Sequence, residues 1–334
     1  MRILATLAAT VLAAPAVADV PNVVTDLSAI GSLAAQVMGD LGTPEVLVAP
    51  GSNGHNYQLR PSQARALQDA DLLIWIGPEM TPWLVPAAKD MGETAHVLGL
   101  LASEGTYLRG FNKYEDPADA HDGHDDHAAH DDHADHDDHA AHDDHAGHDD
   151  HAETAESAHK HDGTDPHAWL DPDNAVTWLA TIAAQLSEID PENAETYRAN
   201  AATARTNIEA LTAELTATIA PVKDRPFVVT HNAYGYLQEQ FGLTITGSIL
   251  LGDASAAGAS HPRDLLKKMQ AEGAICIFPE TQLDEKPALL MAEGSGVRVG
   301  RPIDPSGSTH DAGPDLYATM MRDIIGAMHD CLAQ

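Results

Sequence analysis

Residues 192–220 read ENAETYRANAATARTNIEALTAELTATIA, and this stretch decides the fold. Its apolar residues recur at steps of three and four, the spacing of an amphipathic helix. They are Tyr197, Ala201, Ala204, Ile208, Leu211, Leu215 and Ile219. Asp190 and Pro191 stand just before the stretch and predict an N-cap and a first helical residue. A helix over 192–220 is about 43 Å long at 1.5 Å per residue, which suits a strut between two lobes.

The segments on both sides of this helix alternate between strand and helix patterns, as parallel α/β folds do. On the N-terminal side, DLLIWIG at 71–77 is a continuous apolar run, which is typical of a strand buried on both faces. On the C-terminal side, PFVVT at 226–230 opens a second series of the same kind. The remaining strand candidates are 22–25, 45–49, 243–247, 274–278 and 297–300. We therefore predict an α/β protein with two lobes, each a parallel sheet flanked by helices, joined by one long rigid linker helix.

The predicted division of the chain follows from this pattern. Residues 1–18 combine a positive Arg2, an apolar run and a small-x-small cleavage site, which is typical of a secretory signal peptide. A membrane anchor is the alternative, but the apolar run is short for a span. We predict the N-terminal lobe at 19–172, a helical region that includes the linker at 173–220, and the C-terminal lobe at 221–334.

Net charge limits the possible binding partners, and cysteine content predicts a disulfide. The formal net charge is −33, which argues against nucleic acid or an anionic membrane as a partner. Only Cys276 and Cys331 occur, and two cysteines in an exported chain favour one disulfide. It would close a loop of about 56 residues and stabilise the fold by roughly 4 kcal/mol. Two free thiols and a pair of soft-metal ligands are the alternatives.

A His/Asp-rich loop, residues 113–164, interrupts the N-terminal lobe. It holds thirteen of the twenty histidines, eleven of them at every third position. They are His121, His124, His127, His130, His133, His136, His139, His142, His145, His148, His151, His159 and His161. Its histidine-bearing part has almost no apolar residue besides alanine, so we expect the loop to be disordered.

The spacing of these histidines predicts weak metal sites. An extended chain sets residues three apart at about 9 Å, whereas tetrahedral zinc needs its nitrogens roughly 3.4 Å apart. The loop must therefore curl to chelate, which costs roughly 1–2 kcal/mol for each residue fixed. We predict exchanging sites that collect or buffer zinc and that weaken as the pH falls through about 6.5. A solvated segment with no metal role is the alternative.

Three histidines outside the loop occupy places where α/β proteins bind ligands. His55 and His231 each follow a predicted strand, and His167 lies in DPHAW before the helical region. Ligands of open α/β sheets bind beyond the carboxyl ends of the strands, so side chains from both lobes can converge there. Asp304 follows another strand, and three imidazoles with one oxygen suit tetrahedral Zn²⁺. We predict a metal site of these four residues, with Asp304 either a ligand or a residue that orients its neighbours.

Four segments closely resemble the metal-ligand segments of the zinc-uptake solute-binding proteins, the ZnuA type of the cluster A-I family. They are PGSNGHNYQLRPSQARALQDADLLIWIGPEM from residue 50, DPHAWLDP from 165, THNAYGYLQEQFGL from 230 and IDPSG from 303. The resemblance covers nearly all of the mature chain and places the family's ligand histidines on His55, His167 and His231. It implies two lobes with a metal ion in the cleft, a periplasmic location, and delivery of the ion to an inner-membrane ABC permease.

Three positions depart from the pattern of this family. Some zinc relatives have an acidic residue before the first ligand, where this chain has Gly54. Asp304 matches a ligand of manganese-type members, while water or a loop histidine could fill the same position in the zinc type. Some relatives use a histidine for a secondary site where this chain has Ser248, so we do not expect a second structured site.

We therefore predict a periplasmic zinc-binding protein that captures Zn²⁺ and delivers it to an ABC importer. A manganese-type member and a zinc buffer without a transporter are the alternatives, and Zn²⁺ is favoured because it binds imidazole more tightly than Mn²⁺. A zinc hydrolase is not expected, because the sequence has neither H-E-x-x-H nor G-x-S-x-G. Besides the permease, a periplasmic zinc chaperone is a candidate partner, and we expect the protein to be a monomer.

Overall fold

The computed structural model describes residues 20–92, 95–111, 163–250 and 260–334. The predicted signal peptide and the thirteen histidines of the His/Asp-rich loop lie outside these ranges. Among the described helices, none is long and apolar enough to cross a membrane.

The N-terminal lobe is built on a four-stranded parallel sheet. Its strands are β1 (Val23–Thr25), β2 (Glu45–Val46), β3 (Leu72–Trp75) and β4 (His96–Gly99), in the order β2-β1-β3-β4. Its helices are α1 (Ser28–Met38), α2 (Pro61–Gln68) and α3 (Val85–Met91). The predicted strand at 45–49 is shorter than expected, but backbone hydrogen bonds from Leu47 and Val48 to Thr25 and Asp26 continue the pairing almost to Pro50.

The C-terminal lobe repeats the same topology. Its strands are β5 (Phe227–His231), β6 (Ile245–Leu250), β7 (Cys276–Phe278) and β8 (Arg298–Val299), all parallel, in the order β6-β5-β7-β8. Its helices are α6 (Gly235–Phe241), α7 (His261–Glu272), α8 (Lys286–Ser295) and α9 (Leu316–Leu332). Strands β1 and β5 therefore occupy equivalent positions in the two sheets, and both direct their carboxyl ends to the region between the lobes.

Two long helices connect the sheets, α4 (Pro172–Ile189) and the linker helix α5 (Ala194–Ile219). Asp190 accepts hydrogen bonds from the backbone of Asn193 and from the Tyr197 hydroxyl, and Pro191–Asn193 form a 3₁₀ turn before α5. The helix is therefore a little shorter than predicted, about 39 Å at 1.5 Å per residue. All seven apolar residues predicted to share one face of α5 are buried, and the helix packs on α1, α4 and α9.

Apolar side chains cover both faces of each sheet. One large buried cluster extends from the N-terminal lobe along α4 and α5 into the C-terminal lobe. Two smaller clusters lie on the opposite faces, under α2 and α3 in the first lobe and under α7 and α8 in the second. This two-sided burial is the reason why strands such as β3 are apolar throughout. The shared cluster makes the two lobes continuous along their helical side.

A disulfide joins Cys276 of β7 to Cys331 of α9, as predicted. It ties the last helix of the chain to the central part of the second sheet, so both alternatives for these cysteines are excluded. The predicted lobe boundaries at 172 and 220 stay a prediction, although the two sheets lie on either side of them.

Candidate metal centre

The structure brings the three predicted histidines together, each from a different element. His55 lies in the loop that follows β2, His167 precedes α4, and His231 is the last residue of β5. All three side chains are buried, and together they form a group whose ligand atoms lie within 4.8 Å of one another. The group is assembled from both lobes, because β5 belongs to the second sheet and the other two residues come from the first lobe.

The ring nitrogens converge at the spacing that a tetrahedral metal ion requires. His167 Nε2 lies 3.2 Å from His55 Nε2 and 3.4 Å from His231 Nε2. Three nitrogens at Zn–N bonds of about 2.0–2.1 Å would be roughly 3.4 Å apart around tetrahedral zinc. The trio therefore needs little rearrangement to hold a single ion, and it leaves a fourth position for another ligand.

Two buried carboxylates set the orientation of two of these rings. Asp165 Oδ1 lies 2.8 Å from His167 Nδ1, and Glu280 Oε1 lies 2.7 Å from His231 Nδ1. An ionised carboxylate only accepts, so each Nδ1 carries the proton and donates it. Each Nε2 then has its lone pair directed to the centre of the group, which is the tautomer that metal coordination requires.

His55 is held in the neutral form by its surroundings. Burial, followed by the proximity of His167 and His231, lowers the pKa of His55 well below its ordinary value. Its backbone N–H donates to Asn53 Oδ1 at 2.8 Å, which fixes the tight loop that carries the ring. A metal ion therefore meets no proton to displace from His55 near neutral pH.

Close packing around Gly54, the residue before His55, leaves little room for a side chain. A Cβ atom at Gly54 would lie 2.8 Å from Leu27 Cδ2 and 3.0 Å from Met80 Cε. The Gly54 carbonyl also accepts a hydrogen bond from Trp83 Nε1 at 2.8 Å. An acidic side chain at this position would have to displace these buried apolar groups.

Asp304 lies near the trio but is not part of the described histidine group. Its Oδ1 accepts hydrogen bonds from Gln282 and Ser306, and its Oδ2 accepts from the backbone and hydroxyl of Thr309. Burial alone would raise the pKa of Asp304, but these hydrogen bonds outweigh it and lower the pKa below the ordinary value. The carboxylate is thus ionised and caps its own loop, and its two predicted roles, as a ligand or as an orienting residue, stay predictions.

The sequence reasoning missed Asp165 and Glu280. The sequence offered a signal for both residues. Asp165 stands two residues before His167 in the same motif, and an Asp side chain at that spacing commonly accepts a hydrogen bond from the backbone N–H two residues on. The His167 N–H does donate to Asp165, at 3.0 Å. Glu280 follows β7, and the strand-end argument that selected His231 and Asp304 applies to it equally.

A cavity of about 30 Å³ adjoins the three imidazoles. Met80, Gln282 and Ser306 line it together with the histidines. This volume is enough for a water molecule beside an ion. The arrangement can therefore hold one ion by three nitrogens and leave its fourth ligand to water or to another group.

Solved structures share this architecture. A zinc-bound ZnuA deletion mutant aligns with a TM-score of 0.71 at 19% identity, covering 94% of this chain and 98% of that one. A manganese-bound periplasmic metal-binding protein from Candidatus Liberibacter asiaticus aligns with the same TM-score at 22% identity, covering 93% and 99%. These likenesses establish the fold. Fold and histidine group together define a two-lobed protein with a cleft suited to a metal ion.

Sequence comparison narrows this class to one family. Residues 23–331 match the family described as "ZnuA: Zinc-uptake complex component A periplasmic", and the chain belongs to it. The high-affinity zinc uptake system protein ZnuA of Paracoccus denitrificans is 46% identical over 320 residues, 96% of this chain and 94% of its own. The protein of the same name in Brucella suis is 37% identical over 313 residues, covering 94% and 92%.

Proposed function

We propose that this protein is the periplasmic zinc-binding component of an ABC importer, and that it captures Zn²⁺ between its lobes for delivery to a permease. One observation carries the proposal: the ligand atoms of His55, His167 and His231 lie within 4.8 Å of one another, and the two separations to His167 Nε2 are close to those that tetrahedral zinc imposes. Membership of the zinc-uptake family and the names of its relatives support the same conclusion.

The donor set favours zinc over manganese. Three imidazole nitrogens bind Zn²⁺ more tightly than Mn²⁺, which prefers sites rich in carboxylates. The two carboxylates closest to the rings, Asp165 and Glu280, each engage an Nδ1 atom and so act through an imidazole. A solved relative of this fold binds manganese, so selectivity must come from the donors rather than from the lobes.

Capture rather than catalysis fits the same geometry. The family is a component of a transport complex. In a zinc hydrolase, a base must reach the water on the open side of the metal. Asp165 and Glu280 hold the outer nitrogens of their rings, and this position serves affinity and orientation instead.

The His/Asp-rich loop has a supporting role in this proposal. Its histidines and acidic residues attract divalent ions and pass them to the tighter site in the cleft. The histidines of that site already lie together, whereas the sequence of the loop predicts an entropic cost for each ion that it chelates. The cleft is therefore the high-affinity site and the loop an exchanging reservoir.

Deletion of residues 121–162 tests this division of labour. Zinc stoichiometry measured by calorimetry should fall to one tightly bound ion. In that background, alanine at His55, His167 or His231 should abolish the tight site, whereas His96→Ala should leave it intact, because His96 is exposed on β4. Tight binding that survives all three ligand substitutions would disprove the site.

Growth of a zinc-starved strain separates import from buffering. The importer component restores growth only when its permease is present. Rescue of equal size without the permease would instead indicate a periplasmic zinc buffer.

A further inference from the structure

An arginine bridges the two lobes beside the metal centre. Arg109, in the segment after β4, donates from Nη1 to Asp165 Oδ2 at 3.0 Å and from Nε to Glu239 Oε1 at 3.0 Å. Asp165 belongs to the first lobe, whereas Glu239 lies on α6 of the second. The planar guanidinium thus uses two of its edges to join a carboxylate from each lobe, which a lysine ammonium cannot reproduce.

The first residues of helix α6 contact this guanidinium closely. A Cβ atom at Gly235 would lie 1.6 Å from Arg109 Nη1, so a glycine is needed for the arginine to lie over the start of the helix. The Tyr236 ring stands 5.6 Å from the guanidinium carbon, and its hydroxyl donates to the Asp165 carbonyl and accepts from the Arg109 N–H. Tyr107 completes the set by donating to Glu239 Oε2 at 2.9 Å.

The same contacts lead directly to one metal ligand. Asp165 is fully buried and accepts from Arg109 on one oxygen and from the His167 ring on the other. Any movement of α6 away from the first lobe would remove Glu239 and Tyr236 from Arg109. The guanidinium that holds Asp165, and through it the His167 ring, is therefore itself held by Glu239 and Tyr236 of the second lobe.

We propose that Arg109, held between Asp165 and Glu239, is a positioning residue that makes retention of the metal ion depend on closure of the two lobes. This inference rests on the proposed zinc-binding function and adds to it a means of release. Separation of α6 from the first lobe loosens the support of His167 and lets the ion leave, without any change in the ligands themselves. We call these contacts of Arg109, Asp165, Glu239, Tyr236 and Tyr107 the interlobe clasp.

If Arg109 acted through its charge alone, its removal would change zinc binding in the direction opposite to that expected for a positioning residue. A positive charge near the site repels Zn²⁺, so its removal should tighten binding. A positioning role predicts weaker binding and faster release, because the carboxylate behind His167 loses its anchor. The direction of the effect therefore separates the two roles.

The test measures release of zinc from the full mature chain. Protein loaded with one equivalent of zinc is mixed with an excess of a chromophoric chelator in a stopped-flow instrument. Arg109→Gln should release the ion about tenfold faster, which corresponds to about 1.4 kcal/mol. Gly235→Ala changes no charge and displaces the guanidinium, so it should give a similar increase, and Tyr107→Phe a smaller one.

Two matched controls accompany these variants. Arg322→Gln removes an arginine that forms an exposed bidentate pair with Glu214 on the linker helix, and release should keep its wild-type rate. Gly294→Ala adds a methyl group to α8, where the nearest atom to it is 3.9 Å away, and should likewise have no effect. A Gly235→Ala variant that fails to fold would leave Arg109→Gln and Tyr107→Phe to decide.

The results distinguish this inference from the proposed function. If the wild type holds one zinc ion through its histidines but Arg109→Gln and Tyr107→Phe release it at the wild-type rate, the clasp is overturned and the zinc site stands. Slower release from Arg109→Gln would also overturn it. If the wild type itself binds no zinc tightly, the proposed function fails first.

Discussion

Glu280→Gln tests whether a buried carboxylate behind His231 gives the metal centre part of its affinity. Glu280 Oε1 lies 2.7 Å from His231 Nδ1 and 3.3 Å from the backbone N–H of the same residue. Glutamine has nearly the same shape and keeps an acceptor oxygen, but it removes the negative charge. The substitution therefore isolates the charge of the acceptor from its position.

The expected loss has a lower and an upper bound. A hydrogen bond to a charged acceptor contributes about 1.5–3 kcal/mol and one to a neutral acceptor about 0.5–1.5, so the bond alone loses about 1 kcal/mol, or fivefold. The carboxylate would also lie about 6.5 Å from the ion, which is worth up to about 5 kcal/mol at an effective dielectric constant of 20. The second figure is a ceiling, because the ligands share the charge of the ion. Since partners behind metal-bound histidines typically contribute 10–100-fold, we expect zinc affinity to fall about 30-fold.

Competition with a chromophoric zinc chelator at pH 7.5 measures this change. The chain is loaded with no more than one equivalent of zinc, so that the tightest site dominates the signal. Glu285→Gln is the matched control, because it changes the net charge equally at an exposed position five residues away. The reasoning would be refuted by a Glu280→Gln variant that binds zinc as tightly as Glu285→Gln does.

Four further results are expected. Zinc should leave in two steps on acidification, first from the His/Asp-rich loop near pH 6.5 and then from the cleft at lower pH. The second step comes later because the pKa of His55 is depressed. A single step in a pH titration with a zinc indicator would contradict this. Burial raises the pKa of Asp26 to about 6 from 3.8, so its protonation stabilises the fold below about pH 4, and this contribution is lost as the pH rises through 6. Relative to Asp26→Asn, the wild type should therefore gain up to about 3 kcal/mol in urea unfolding between pH 7 and pH 4, and equal curves for both proteins would disprove it. Asp304→Asn should change zinc affinity less than threefold if the residue caps its loop, whereas a loss as large as that of a ligand histidine would make it a ligand. Replacing Cys276 and Cys331 by serine should lower the free energy of unfolding by about 2–5 kcal/mol, and an unchanged thermal midpoint would refute this.

Two histidines of the trio, His55 and His231, were predictable because a strand end is a local feature, and His167 because it stands just before the helical region. His231 closes an apolar strand, His55 follows another, and parallel strands bring their carboxyl ends to one edge. The linker helix was predictable for a similar reason, since its period of 3.6 residues marks the buried face without knowledge of its partners. The predicted start of the helix was less accurate. Asp190 caps a 3₁₀ turn before the α-helix, because the terminal turns of helices are decided by small differences in hydrogen bonding.

The partners of the trio needed the tertiary structure. Asp304 was selected because it follows a strand, but only the folded chain shows that its oxygens accept hydrogen bonds from Gln282 and Thr309. Glu280 and His231 are 49 residues apart, and only the pairing of β5 with β7 brings them into contact. Arg109 and Glu239 are 130 residues apart and meet across the two lobes.

Amino-acid order alone determined the two-lobed α/β plan, the connecting helix, the disulfide partners and which imidazoles could bind a cation. Those features arise from periodicity and residue chemistry, which act over short stretches of chain. Three-dimensional packing decided which oxygen faces which ring, because hydrogen-bond geometry depends on distances of a few tenths of an ångström between residues far apart in the chain. That packing brings the rings of the three predicted ligand histidines together.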